Sequence, residues 1–236
     1  MGERLRRHRR SIVLSVLGLA LAVAAAFAAT YTPLFAAAHV RVSGERRLTG
    51  AEVAALAGVH EGTNVFHLDV AAAVARLETS PWIASATVER DLPSTVRIRV
   101  VERQPVAISP GGEVIASDAT ALPGAPTASL PRIEGVLDQL SPSDLAGAAA
   151  ALGAMPPVVR ARVASVTVGT DHSMTVRLDD GVQVDYGTAG QDVAKGEALR
   201  AVLRWASAGS HDVATIDVSV PAAPTATLSG GGTLAP

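Results

Sequence analysis

The sequence predicts an α+β protein: a single N-terminal transmembrane helix, a small β-α-α-β-β module, then a mixed α+β module with an extended sheet. Three observations carry this. Five arginines run into an uncharged apolar stretch at 12–29; residues 39–102 switch between helical and strand periodicity in a fixed order; and residues 141–220 hold two helix starts among alternating strands.

The first ten residues contain Arg4, Arg6, Arg7, Arg9 and Arg10, and the stretch that follows reads IVLSVLGLALAVAAAFAA. At about 1.5 Å per residue, eighteen helical residues cover roughly 27 Å, close to the hydrocarbon thickness of a bilayer. An arginine cluster on one side of such a run keeps that side cytoplasmic. Tyr31 and Phe35, just beyond the run, suit the opposite interface, where amphipathic rings settle at headgroup level. The expected order is a basic cytoplasmic tail at 1–11 and a transmembrane helix at 12–32. A cleaved signal peptide is the competing reading, with Ala36-Ala37-Ala38 as a small-residue processing site. Its apolar region is usually shorter, about 7–15 residues. Both readings place the rest of the chain outside the cytoplasm.

Of 20 Lys+Arg and 22 Asp+Glu, the residues after the basic tail hold 15 and 21, so the exported part is acidic and offers no face for nucleic acid. Cysteine is absent, which excludes disulfides and thiolate metal sites. Each module must therefore be held by its own apolar core.

Val40 and Val42 alternate with His39, Arg41 and Ser43, and Gly44 ends this short strand. Thr49-Gly50-Ala51-Glu52 is a capping box, flanked by Leu48 and Val53 at the staple positions, and Gly58 stops the helix. Asp69 caps a second helix carrying Val70, Ala73, Val74 and Leu77, which Pro81 ends. Trp82, Ala84, Ala86 and Val88 are expected on one face of the next strand, and Val96, Ile98 and Val100 on one face of its hairpin partner. The order packs two helices on one face of a three-stranded sheet and leaves a sheet edge free.

The V-x-V-x-G strand at 40–44, the G-x-x-x-x-x-L-D connector from Gly62 to Asp69, the P-W-I-x-x-A-x-V-x-R entrance from Pro81 to Arg90 and the L-P-x-T-V-x-I-x-V-x-E-R-x-P-V-A finish from Leu92 occur in that order. Together they resemble the POTRA domain of the bacterial FtsQ/DivIB division family, over about 70 residues placed directly after an anchor. The resemblance assigns 36–104 to the POTRA domain.

Ser141-Pro142-Ser143-Asp144 starts a helix that Pro156-Pro157 ends; strands follow at 163–168 and 174–178, and Asp180-Gly181 turns into Val182, Val184 and Tyr186. Residues 188–191 are expected to cap a helix to about Ala206 that carries Val193, Leu199, Val202 and Leu203. Thr215, Ile216, Asp217, Val218, Ser219 and Val220 form a closing strand. This order is similar to the C-terminal β domain of the same family, which assigns 105–220 to it. The chain has Ser219 where members often carry a basic residue. Residues 110–131 read as a linker with one short strand pair near 114–116. The Pro-, Ala- and Gly-rich residues 221–236 are expected to be a disordered tail.

No histidine pair has ligand spacing, and no nucleophile elbow or phosphate loop is present. His60 and His67 read as solvated connector residues, His172 and His211 as loop residues, Asp179-Asp180 as a turn, and Trp82 and Trp205 as core. No catalytic, cofactor-binding or metal-binding residue is predicted, no cofactor and no small-molecule substrate. The family resemblance implies a non-enzymatic, single-pass protein of the bacterial cell membrane, with its N-terminus cytoplasmic and its modules extracytoplasmic, concentrated at the division septum. It implies that the protein links early and late divisome components and helps control septal peptidoglycan synthesis. Implied partners are divisome membrane proteins, FtsB/FtsL-like proteins and septal wall synthases, captured by a strand added to 215–220. The alternative from another class is a membrane-anchored exported hydrolase acting on the cell wall. A POTRA chaperone for outer-membrane barrels fits less well, because only one copy of the module is visible.

Overall fold

The computed structural model describes residues 2–135 and 140–234, with side chains from Leu14 onward. The chain divides into two compact units, one up to Glu102 and one from Arg103. Helix α1 spans Gly2–Ala29. The side chains of Arg4, Arg6, Arg7, Arg9 and Arg10 lie outside what is described, as do those of Ile12 and Val13, the first two residues of the apolar run. Among the described residues no helix is long and apolar enough to cross a membrane.

In the first unit β1 (His39–Ser43) leads to α2 (Gly50–Ala57) and α3 (Val70–Glu78), then to β2 (Ile83–Asp91) and β3 (Thr95–Glu102). The local signals act as capping chemistry requires. Thr49 Oγ1 accepts from the Glu52 N–H at 3.2 Å, and the Glu52 carboxylate accepts from the Thr49 N–H at 2.7 Å. Gly58 closes α2 in the left-handed region at φ 69°. A side chain there would press on the Arg76 guanidinium. That guanidinium donates twice to the Ala57 carbonyl, at 3.0 and 2.6 Å, and so ties α3 to the end of α2.

β1 runs parallel to β3, and β2 antiparallel to it, giving the order β1-β3-β2. Val53, Ala57, Ala73 and Leu77 from the helices meet Val88, Val96, Ile98 and Val100 from the sheet. Each fully buried branched side chain contributes about 1.5–3 kcal/mol. The expected face of β2 is corrected at its start. A register shift between Ile83 and Ser85 turns Ile83 inward and leaves Ala84 exposed, because a bulge inverts the alternation on one side of it. Trp82 is buried outside the main apolar cluster, with the Arg47 guanidinium 4.2 Å above its ring.

The second unit is a nine-stranded sheet with helices packed on it. Its elements are β4 (Pro105–Ile108), β5 (Val114–Ala116), β6 (Arg132–Glu134), α4 (Pro142–Ala154), α5 (Pro157–Arg160), β7 (Val163–Val168), β8 (Met174–Leu178), β9 (Gln183–Gly187), α6 (Asp192–Gly209), β10 (Val213–Asp217), β11 (Thr225–Leu228) and β12 (Thr233–Leu234). The strand order is β12-β11-β10-β9-β8-β7-β6-β4-β5. Ala148, Leu152, Leu199 and Val202 of α4 and α6 bury against Val166, Val176, Val184 and Ile216 of the sheet. Two expectations fail here. Residues 221–236 do not form a disordered tail through their described length, since β11 and β12 continue the sheet. Val193 is an outward residue of α6, 67% exposed, because the helix starts at Asp192 and buries the face of Lys195, Leu199 and Val202.

Glu102, the last residue of β3, accepts from the N–H groups of Arg47 and Leu48 at 2.9 and 3.0 Å and so holds the β1–α2 loop against the sheet. Burial pushes its carboxyl up, but these backbone donors and Arg46 outweigh that and leave it below its ordinary 4.5. A depressed folded value stabilises fully above the ordinary one and is lost as pH falls through the folded one. Glu102→Gln should therefore cost about 1 kcal/mol, near the low end for hydrogen bonds to a charged group on a half-buried side chain. Thermal unfolding at pH 7 and at pH 3 checks this: the difference between wild type and variant should shrink at the lower pH.

Candidate partner-binding edge of the second sheet

β10 forms because Val213 and Ile216 point into the core while Thr215 and Asp217 point out. It ends where the Asp217 carboxylate accepts from the Ser219 N–H at 2.8 Å, a local turn that competes with further strand. Of the predicted closing strand, Thr215, Ile216 and Asp217 lie in β10. Val218 is buried just after it, its N–H donating to the Asp185 carbonyl at 2.9 Å, and Ser219 and Val220 enter the following turn.

The expectation that this strand has a free edge is corrected. On one side Thr215, Ile216 and Asp217 pair in parallel with Gln183, Val184 and Asp185 of β9; on the other they pair antiparallel with Thr227, Ala226 and Thr225 of β11. Both rows of β10 backbone groups are thus satisfied within the chain. Thr-Ala-Thr-Leu buries Ala226, and the glycine triplet is the turn to β12: Leu228 N–H donates to the Gly232 carbonyl at 3.0 Å, with Gly231 and Gly232 at φ 83° and 110°. The signal was in the sequence, as four alternating residues before a glycine turn. Low-complexity composition masked it.

The sheet has two ends. At the β5 end the chain closes its own edge: Ala116 N–H donates to the Thr120 carbonyl and Leu122 N–H to the Val114 carbonyl, at 2.9 and 2.8 Å. At the other end β12 is two residues long and, among the described residues, no further strand flanks it. Leu234 is exposed there.

The corner that carries β10 is built around Lys195, which is the chain's single lysine and is buried in α6. Its Nζ donates to the Thr188 carbonyl at 2.6 Å and lies 5.1 Å from the centre of the Tyr186 ring. Tyr186 is fully buried, and its hydroxyl donates to the Asp192 carbonyl at 3.1 Å. Burial, with the Asp192 charge adding to it, pushes that hydroxyl well above the usual tyrosine range. Gly187 lets Ser219 approach: a Cβ there would sit 2.9 Å from the Ser219 Cβ. α6 starts after Gln191 in the left-handed region with no side-chain cap, in place of the cap expected over 188–191. The Asp192 carboxylate instead accepts from the Gly190 N–H at 3.3 Å.

The ionisable residues weighed for chemistry have structural partners. Asp179 and Asp180 both pair with Arg162, beside an open groove of about 530 Å³ at the C-terminal end of α6. His172 lies 2.8 Å from Asp144, and His211 stacks on Trp205. The Asp144 carboxyl is held low first by the Ser141 hydroxyl and then by His172. No group of three or more potential ligands is placed to hold a metal among the described residues.

Residues 35–103 match the model of the FtsQ-type POTRA domain, and residues 98–219 that of the FtsQ/DivIB C-terminal domain. The chain belongs to the FtsQ/DivIB family of cell division proteins. It is 33% identical over 211 residues to the cell division protein FtsQ of Mycolicibacterium smegmatis, covering 87% of this chain and 61% of that one. FtsQ of Mycobacterium tuberculosis strain H37Rv is 32% identical over 91% of this chain and 67% of its own, and FtsQ of Streptomyces collinus is 29% identical over 93% and 88%. The solved extracytoplasmic domain of DivIB from Geobacillus stearothermophilus aligns over 45% of this chain and 93% of its own at 14% identity, with a TM-score of 0.34. The chain thus spans less than two thirds of the length of the M. smegmatis relative. The FtsQ/DivIB match ends at Ser219, so the β11–β12 hairpin lies beyond it.

Lys195→Met removes the donor to Thr188 but keeps the packing volume, so it should cost about 1–3 kcal/mol of stability, the penalty of leaving a buried carbonyl unpaired. Urea unfolding measures the loss. Hydrogen exchange should show faster opening at the Val218 amide; an unchanged amide would mean that Lys195 does not position the end of β10.

Proposed function

We propose that this chain is a non-enzymatic, single-pass division protein of the bacterial cell membrane that acts by capturing other divisome proteins at an open sheet edge. The apolar run at 12–29 supports the anchor: in water it would expose a long uncharged helix, and in a bilayer it spans at little cost. The five arginines support a cytoplasmic N-terminus. Both units then lie outside, close to partners that are themselves membrane-bound, where tethering raises effective concentration. In this reading the protein links early and late divisome components and helps control septal peptidoglycan synthesis, with FtsB/FtsL-like proteins and septal wall synthases as partners.

The observation that carries the binding mode is the unequal treatment of the two ends of the large sheet. The chain spends residues 117–122 on closing the β5 edge and only a two-residue strand on the other end. An incoming strand beside β11–β12 would gain main-chain hydrogen bonds, with alternate side chains setting register. The closing strand first expected at 215–220 then supports the receiving edge from behind.

Thr233→Pro should weaken pull-down of an FtsB-like partner and leave the unfolding free energy within about 0.5 kcal/mol of wild type, since the site is exposed. Asp217→Pro, inside the sheet, should lose both capture and stability, by about 3 kcal/mol or more. Undiminished capture by a folded Thr233→Pro protein would overturn the edge assignment. A fluorescent fusion at the N-terminus should concentrate at midcell, and a uniform envelope signal would count against the division role.

A further inference from the structure

We propose that the end of the first unit nearest α1 is itself a membrane-seating surface, and that its connector loop rests in the outer headgroup layer of the bilayer. This rests on the reading of α1 as a span. The segment leaving α1 is zipped to the connector at 62–67. Ala37 N–H donates to the Thr63 carbonyl at 2.8 Å, Val65 N–H to the Phe35 carbonyl at 2.8 Å and Gly62 N–H to the Ala37 carbonyl at 2.9 Å. The Asn64 side chain reaches the Thr30 carbonyl at 2.8 Å. Four such bonds fix the near end of the module at the level where the apolar helix stops.

Aromatic contacts lock the same junction. His67, read from sequence as a solvated connector residue, stacks on Tyr31 with ring centres 4.2 Å apart, and its Nε2 is 2.9 Å from the Thr30 hydroxyl. Phe27 meets both rings edge-on, and Phe66 meets Phe35 at 5.6 Å. The β2–β3 turn lies at this end too, because the Ser94 carbonyl accepts from the N–H groups of Ala38 and His39. Together these elements leave Tyr31, Leu34, Phe66 and Leu92 exposed by 60, 66, 42 and 52%. Arg90 stands behind them, donating to the Phe66 carbonyl at 2.9 Å.

Large apolar side chains from three separate segments, gathered at one end of a small module, mark an interaction surface. Their continuity with the apolar run of α1 identifies the occupant as lipid. Amphipathic rings and arginines are the residues that an interface of phosphate and acyl chain accommodates. Interfacial side chains of this kind enter about 5–10 Å into the headgroup boundary. The module is then seated on the bilayer at its base.

The absence of cysteine permits a direct test in the full chain. Single variants Leu21→Cys, Phe66→Cys, Leu92→Cys and Val101→Cys are labelled with an NBD probe and reconstituted in phosphatidylcholine–phosphatidylglycerol vesicles carrying brominated acyl chains. Val101 is exposed and lies six positions along β3 from Thr95, roughly 20 Å away. Probes at Phe66 and Leu92 should shift to the blue and lose emission, more with bromines near the headgroup than near the chain end, while Val101 stays quenched only by water. Emission at Phe66 and Leu92 equal to that at Val101, with Leu21 still quenched by bromine, would overturn the seating and leave the span intact. An unquenched Leu21 would overturn the span, and the seating with it.

Discussion

Backbone hydrogen-bond satisfaction at sheet edges is the constraint on which the rest of this architecture depends. A buried N–H or C=O left unpaired costs about 1–3 kcal/mol, so every strand inside the nine-stranded sheet must find partners on both sides. Disulfides are not available to fix the margins. The chain meets the constraint differently at each margin: 117–122 folds back along β5, and β10 is covered by a hairpin of T-A-T-L, a glycine turn and two more residues. Strand-mediated capture has its cheapest entry where the covering is shortest, because there an incoming strand displaces little and satisfies groups that water alone was serving.

The first unit was legible in the sequence because its signals are local. Thr49 and Glu52, Gly58, Asp69 and the alternation Val96-Ile98-Val100 each act within a few residues, and capping and side-chain direction depend on no distant partner. What escaped is equally physical. The bulge at the start of β2 reverses which residues face the core, and periodicity alone cannot show where a phase slips. Around β10 the missing information was pairing: alternation identified a strand at 215–217 but not its neighbours, and the hairpin that covers it has a composition more often found in disordered segments. The packed His67–Tyr31 junction joins residues 36 positions apart and left no sequence pattern to read.

Lys195 shows how a single unlocal contact bears on the proposed edge. A buried amino group on an otherwise apolar helix face is costly unless it has a partner, and here it holds the Thr188 carbonyl directly after β9. The same corner contains Gly187, whose missing side chain admits Ser219 at the end of β10. Ser219 is thus a small residue packed against the backbone of Gly187, and the Lys195 Nζ comes in from α6 on the same side, 3.9 Å from where a Cβ of that glycine would stand. The path of the chain from β10 into β11 is set by this fit. Register at the outermost strands follows from it, because each strand in an antiparallel succession inherits its alignment from the one before, and a slip of one residue would turn Ala226 out of the core. An exposed strand edge can select a partner only if its own register is fixed, and here that requirement is met from inside the unit rather than at the edge.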